Sequence, residues 1–297
     1  MRYAGIYQTI LEIHQKYGYS ICYLCHLGQV TRGAYYKWLN RKVPKNEKDN
    51  IRISKTIESI HKKYPDKGYR RIRDDLQRYH NTKVNDKRVL RICRKLNIKS
   101  TIKYSNKGCT RRASNPQYIA ENVLNREFDA DKPNQKWLTD VTEFKYYVEG
   151  EKKKIYLSAI LDLYDRRIVS YVISDRNDNA LVSETFDRAV QESPNAHPLF
   201  HSDRGYQYTS RLFYKKLMDA DMVQSMSRVG KCIDNGPIEG FWGIIKRERY
   251  YGNRFTDRVT LVQMIEEYID YYNNKRIQRN LGILTPFEKH RSYLQAA

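Results

Sequence analysis

Along the first hundred residues, apolar positions recur at the three-to-four spacing of amphipathic helices. From Asn134 onward, short apolar and alternating runs predict strands. In the first 40 residues Ser20 is placed to cap a short helix carrying Ile21, Leu24 and Cys25. Gly28 breaks it, and Thr31 caps a second helix carrying Tyr35, Trp38 and Leu39. Two short helices about a glycine turn suit a helix-turn-helix and equally a plain helical hairpin. Ile53, Ile57, Ile60 and Tyr64 predict a longer helix that Pro65 and Gly68 end. Ile72, Leu76 and Tyr79 mark the next, and Asn85 caps a third with Val89, Ile92, Cys93 and Leu96. Residues 98–134 are polar, basic and weakly periodic. Asn106-Lys107-Gly108 and Asn115-Pro116 act as breakers, so this reads as a linker with local helix near residues 119–124.

Residues 137–144, 154–163 and 167–174 are strand candidates, joined by turns at 148–151 and 164–165. A helix over 179–191, a strand at 198–201, a helix from the Ser210 cap to 219 and a strand at 223–226 follow. Pro237 opens a helix running to about residue 250, and residues 259–273 form a last long helix presenting Leu261, Ile265, Tyr268, Ile269 and Tyr272. The order predicts an α/β layer with an antiparallel opening, preceded by an all-α region. The divisions are a short helical segment at 1–45, a helical module at 46–100, a basic linker at 101–133 and an α/β core with C-terminal helices at 134–297.

Length and charge refine this. At 297 residues the chain exceeds the size at which one core keeps growing. Its 55 Lys and Arg against 34 Asp and Glu give a net charge of +21, and residues 1–132 carry +18 of it. A basic front half beside a near-neutral back half predicts a region that holds a polyanion and a domain that does something else. No apolar run approaches a membrane span and Met1 opens no apolar leader, so a cytoplasmic, nucleoid-associated protein is expected. Five cysteines at irregular spacing point to reduced thiols. Cys22, Cys25 and His26 form a Cys-x-x-Cys-His pattern, read as packing because no export signal or fourth zinc ligand accompanies it.

The third helix of the 46–100 module carries Lys87, Arg88, Arg91, Arg94 and Lys95 around its apolar stripe, and Arg70, Arg71 and Arg73 add to the same cationic surface. This is the pattern of a helix that enters a DNA groove. In the back half three acids stand out. Asp140 lies within an otherwise apolar strand, where an unpaired carboxylate is expensive and needs a cation. Asp203 follows a strand and precedes Gly205, as a tight turn over a site requires. Glu239 is in the first turn of the helix begun by Pro237, whose apolar face is Ile238, Phe241, Trp242 and Ile245. Glu239, Gly243 and Lys246 share the other stripe, Lys246 about 10 Å beyond Glu239. That stripe suits a metal at one end and a phosphate backbone along the rest.

These residues fall in ordered motifs: Trp137-x-Thr139-Asp140-x-Thr142, His201-Ser202-Asp203-x-Gly205-x-Gln207-Tyr208, Ser225-x-Ser227, then Asp234-Asn235-x-x-x-Glu239 and Lys246. Asp203 and Glu239 have 35 residues between them. Tyr272-Asn273-x-x-Arg276, Leu281-Gly282 and Thr285-Pro286 follow, and Lys67-Gly68-Tyr69-Arg70-Arg71-Ile72 with Val84-Asn85 and Val89 precede. Nearly the whole chain thereby resembles the second-frame (OrfB-type) protein of two-frame bacterial insertion sequences. That is a DDE transposase family with a core similar to retroviral integrases. Gln278 stands where many relatives have His, which leaves the triad untouched.

The resemblance implies an RNase H-like integrase core with a mixed five-stranded sheet, behind a helix-turn-helix-like DNA-binding region. Asp140, Asp203 and Glu239 would be the catalytic and metal-binding residues, holding two Mg²⁺ or Mn²⁺ ions for strand cleavage and strand transfer of the element's DNA. Double-stranded DNA, both element ends and target, is the implied partner, with a homo-oligomer on DNA and a first-frame protein beside it. A DNA-binding regulator of transposition, silent without that first-frame protein, is the alternative. A tyrosine recombinase would use His201-x-x-Arg204 but leaves Asp140 and Glu239 without a role.

Overall fold

The structure is a computed structural model that describes residues 3–42, 44–102, 118–229 and 231–296. The breakers at 106–108 and 115–116, and Cys109, lie outside the described residues.

Three helices open the chain: α1 (Ala4–Tyr17), α2 (Ile21–Leu27) and α3 (Arg32–Leu39). The capping residues read from the sequence act as such, with Ser20 Oγ accepting from Tyr23 N and Thr31 Oγ1 from Ala34 N, both at 3.2 Å. Tyr7, Ile10, Leu24, Cys25 and Tyr35 form a small core of their own. Cys25 is therefore packing, whereas Cys22 and His26 are exposed. The next unit is α4 (Lys45–Lys63), α5 (Tyr69–Tyr79) and α6 (Asp86–Lys95), closed on Ile53, Ile57, Ile72, Leu76, Val89 and Cys93. Asn85 caps α6 through the Arg88 amide at 2.7 Å.

The third unit is a five-stranded sheet in the order β3-β2-β1-β4-β5. Its strands are β1 (Lys136–Val148), β2 (Glu151–Asp162), β3 (Ile168–Ser174), β4 (Leu199–Ser202) and β5 (Val223–Met226). β1, β2 and β3 are antiparallel neighbours, and β4 and β5 join in parallel. β1 runs four residues past the 144 expected from sequence, because a two-residue turn at Glu149 and Gly150, φ 51° and 87°, lets the hairpin zip to its tip. Helices α7 (Asn179–Glu192) and α8 (Arg211–Asp219) cover one face, packing on Trp137, Ile160, Val169 and Phe200. Helices α9 (Gly236–Ile245) and α10 (Arg258–Asn274) cover the other, on Leu138, Phe144, Leu157 and Leu161. A last helix, α11 (Pro286–Ala296), closes the chain.

Two expectations fail here. Residues 118–123 are irregular, not helical. Tyr118 N donates to Thr209 O and Met226 N to Glu121 O, while Ala120 and Leu124 are drawn into the two cores, so tertiary bonds override a weak local preference. The helix begun by Pro237 ends as an α-helix at Ile245, and Lys246–Tyr250 widens into a π turn closed by Tyr251 N on Lys246 O at 2.6 Å.

That turn carries the joint between the α4–α6 unit and the sheet. Glu248, with its side chain only 4% exposed, pairs with Arg71 of α5 at 2.9 Å and with Arg276 at 2.8 Å, and accepts from Tyr268 Oη at 2.9 Å. Burial pushes the Glu248 carboxyl up, but the Arg276 and Arg71 charges outweigh it and hold the group below its usual range. Arg279 adds bonds to Asp74 and Asp86, and Arg78 pairs with Glu288. Removing one member of a buried ion pair strands the other charge and costs about 3–5 kcal/mol. Glu248→Gln should therefore lower the stability read from urea unfolding by that order, whereas Glu288→Gln, on an exposed pair, should change it by less than about 1 kcal/mol.

Candidate active site

Asp140 sits at the centre of β1, opposite Ala159 of β2. Even-numbered residues of β1 face α9, so Asp140 and Thr142 point where Leu138 and Phe144 pack. Three residues of parallel pairing, ending with Leu138 against His201, bring the end of β4 level with Asp140, and Asp203 follows one residue beyond that strand. Glu239 lies in the first turn of α9. Asn235, just ahead of that helix, donates its amide to Thr139 O at 3.0 Å and so ties the helix start to the strand beside Asp140.

The three carboxylates act on one another. Burial of its carboxyl, then the nearby Asp203 charge and more weakly Glu239, push Asp140 up to about 7, against a hydrogen bond from Trp242. Burial raises Asp203, opposed by the Gly205 amide, which donates to Asp203 Oδ1 at 2.8 Å. Burial and the Asp203 charge raise Glu239. Three acids that resist joint ionisation are a set a cation would relieve, and carboxylate oxygens are the donors Mg²⁺ and Mn²⁺ favour. No group of three His, Cys, Asp or Glu side chains among the described residues is closed tightly enough to hold an ion. The donor chemistry fits a divalent metal, and Asp140, Asp203 and Glu239 are the residues able to supply it.

Gly205 differs from expectation. It is not among the residues with positive φ. A Cβ there would stand 2.9 Å from Asp203 Oδ1 and 3.1 Å from Gln207 Oε1, so glycine is needed for the close approach of its amide, not for the turn. Along α9, a Cβ at Gly240 meets nothing within 4 Å, which leaves that side of the helix open.

Lys246 is not on a solvated stripe. Its Nζ donates to Thr142 Oγ1 at 2.6 Å and lies 5.1 Å from the Phe144 ring. Burial lowers its pKa, while the Asp140 and Glu143 charges pull it back up. Of the cationic surface read from the sequence, Arg70, Lys87, Arg91, Arg94 and Lys95 lie at the surface. Arg71 is committed to Glu248 and Asp66, Arg73 to Asp74 and Val84 O, and Arg88 Nε to Asn50. The acids that bind them, 66 and 74 on the chain before and within α5, were visible in sequence, but their direction was not.

The motif residues without charge hold the frame. His201 is fully buried, its Nδ1 bonded to Ser225 Oγ at 2.8 Å and Nε2 to Ser227 Oγ at 3.1 Å. This withdraws it from DNA and removes the recombinase role of His201-x-x-Arg204. Asp234, also fully buried, accepts from Arg228, Arg126 and Asn122 and is held well below the usual carboxylate range, chiefly by Arg228.

Residues 130–232 and 239–293 match the integrase core domain, and residues 47–105 match an HTH-like domain. InsK of insertion sequence element IS150 from Escherichia coli K12, named a putative transposase, is 36% identical over 280 residues, 93% of this chain and 95% of that protein. The chain belongs to the insertion-sequence transposases with an integrase core. The transposase for insertion sequence element IS904 of Lactococcus lactis is 35% identical, over 58% of this transposase and 68% of that one. InsF, the transposase for insertion sequence IS3A of Escherichia coli K12, is 27% identical over 94% of this chain and 96% of its own. Among solved structures, the HTLV-2 integrase catalytic core domain is similar over 54% of this chain and 97% of that chain, with 20% identity and a TM-score of 0.42. The HTH-like match falls on the α4–α6 unit, not on the glycine-turn pair of the first 45 residues. Among the described residues no helix is long and apolar enough to cross a membrane.

Burial pushes His201 of the transposase down to about 4 from the ordinary 6.5. Between those values the unfolded chain binds the extra proton and the folded one does not. The contribution of His201 to stability is therefore full above pH 6.5 and is lost as pH drops towards 4, about 3 kcal/mol in total. Raised carboxyls such as Asp140 gain stability over the same window, so the test is the difference between proteins: in urea unfolding, the change in stability from pH 7 to pH 4.5 should be less favourable in wild type than in His201→Asn by about 3 kcal/mol. An equal change in both would contradict it.

Proposed function

We propose that this transposase cuts and joins DNA strands through a divalent-metal mechanism in which Asp140, Asp203 and Glu239 are the metal-binding catalytic residues. The observation that supports it is the convergence of these acids, from β1, the β4 end and α9, on one site where the charge of one raises the pKa of another. Two ions, Mg²⁺ or Mn²⁺, would supply activation of a water or 3′-hydroxyl and neutralise charge on the phosphate under attack. The chain's own part is to orient and exclude. Asp140 and Asp203 would present carboxylates from the sheet, Asp203 with the Gly205 amide donating to its Oδ1. Lys246, held on Thr142 beside Asp140, is placed to grip a phosphate near the reacting one. The open side of α9 at Gly240 leaves room for a backbone.

The α4–α6 unit is the proposed holder of the element end, with Arg70, Lys87, Arg91, Arg94 and Lys95 on its outer surface. Glu248 and Arg279 fix that unit against the core, so the bound end and the acids keep one geometry. The domain divisions at 45 and 100 are proposed on the separate cores, whereas the one at 133 is not, because Ala120 and Leu124 belong to the cores of the sheet. Action on target DNA as a homo-oligomer, with a first-frame protein, in the cytoplasm, completes the reading.

Asp140→Asn, Asp203→Asn and Glu239→Gln should each abolish Mg²⁺-dependent cleavage and joining of an element-end duplex while retaining DNA binding. Wild-type joining in any one of them would remove that residue from the site. Replacing Lys87, Arg91, Arg94 and Lys95 together by Ala should weaken duplex binding at all sequences. It should also lower the slope of log K against log salt by about 0.9 for each phosphate no longer neutralised, read by fluorescence anisotropy. An unchanged slope would place the DNA elsewhere.

A further inference from the structure

Helix α9 carries more than Glu239. One turn on, Trp242 is buried with its ring 5.1 Å from Phe241, and its indole Nε1–H donates to Asp140 Oδ2 at 2.9 Å. The apolar face of α9 otherwise consists of Ile238, Phe241 and Ile245, all buried in the same core. Packing alone asks only for an apolar side chain at 242. The feature tryptophan adds is the donor.

We propose that Trp242 is a positioning residue for Asp140, its indole N–H fixing the carboxylate in the orientation in which it takes a divalent ion. The inference rests on the reading of Asp140 as a metal-binding residue. A carboxylate rotates about its terminal bond across a broad torsional well, so a free one offers its oxygens in many directions. A hydrogen bond from a ring that is itself packed in a core removes that freedom and commits one oxygen. Glu239 and Trp242 stand three residues apart on one rigid helix, so this helix sets its own acid and the plane of the strand's acid together. Substitution of such outer partners of metal-binding groups costs roughly 10–100-fold in metal affinity.

The test uses the full chain and Mn²⁺ as probe, with free Mn²⁺ followed by electron paramagnetic resonance in the absence of DNA. Wild type should bind Mn²⁺ and Asp140→Asn should lose that binding. Trp242→Phe, which keeps an aromatic ring and deletes the N–H, should bind roughly tenfold or more weakly while melting as a folded protein. If Asp140→Asn loses Mn²⁺ but Trp242→Phe binds as wild type does, the positioning role is wrong and the metal-site reading stands. If Asp140→Asn binds as wild type does, the metal-site reading fails and this inference falls with it. If Trp242→Phe does not fold, Trp242→Tyr and Trp242→Met, which also delete the indole N–H, take its place: Mn²⁺ binding weakened roughly tenfold or more in a folded variant supports the role, and wild-type binding overturns it.

Discussion

β1 and β4 pair in parallel over only three residues, Lys136 to Leu138 against Leu199 to His201, and the arrangement of the proposed site hangs on that ladder. It brings a strand centre and a strand end, distant in sequence, to one level of the sheet. Parallel neighbours need a long crossover, here the β2–β3 hairpin and α7, and all of that chain is packed on both faces before Asp203 is reached. Two carboxylates set side by side in this way repel and lose solvation. The fold offsets part of the cost with donors, an indole on Asp140 and a glycine amide on Asp203, and with the Lys246 ammonium, which feels the Asp140 charge without a direct ion pair. The carboxyls of Asp140, Asp203 and Glu239 are still pushed up by burial and by one another.

Several buried acids elsewhere are instead paired with cations. Asp234 is saturated by Arg228, Arg126 and Asn122, and Glu248 by Arg71, Arg276 and Tyr268. Lys67 pairs with Asp75 at 2.7 Å inside the α4–α6 unit. These ionised groups have charged partners, and each fixes one segment against another.

The joint at Glu248 gives the front half of the chain its second role. In the motif Lys67-Gly68-Tyr69-Arg70-Arg71-Ile72, four residues serve four different ends. Lys67 closes a buried pair, Arg70 lies at the surface, Arg71 reaches the core and Ile72 fills the module's own interior. A run of basic residues is thus divided between structure and the outer surface according to which acids the tertiary fold brings near.

The sequence by itself determined the elements, because their causes are local: period, caps at Ser20, Thr31 and Asn85, and the glycine and proline breaks. It also marked Asp140, Asp203 and Glu239, since acids inside apolar strands and at a helix start stand out from their neighbours. Only the tertiary structure decided what those side chains meet. Trp242 was legible as one more apolar face residue, and Arg71 as one more surface cation. A hydrogen-bond partner on a distant segment leaves no trace in local period or charge. The irregular path of residues 118–123, the turning of Lys246 onto Thr142 and the demand for glycine at 205 were hidden in the same way. Each depends on where the fold places side chains and backbone in space, and that placement exists only once the sheet has brought the segments together.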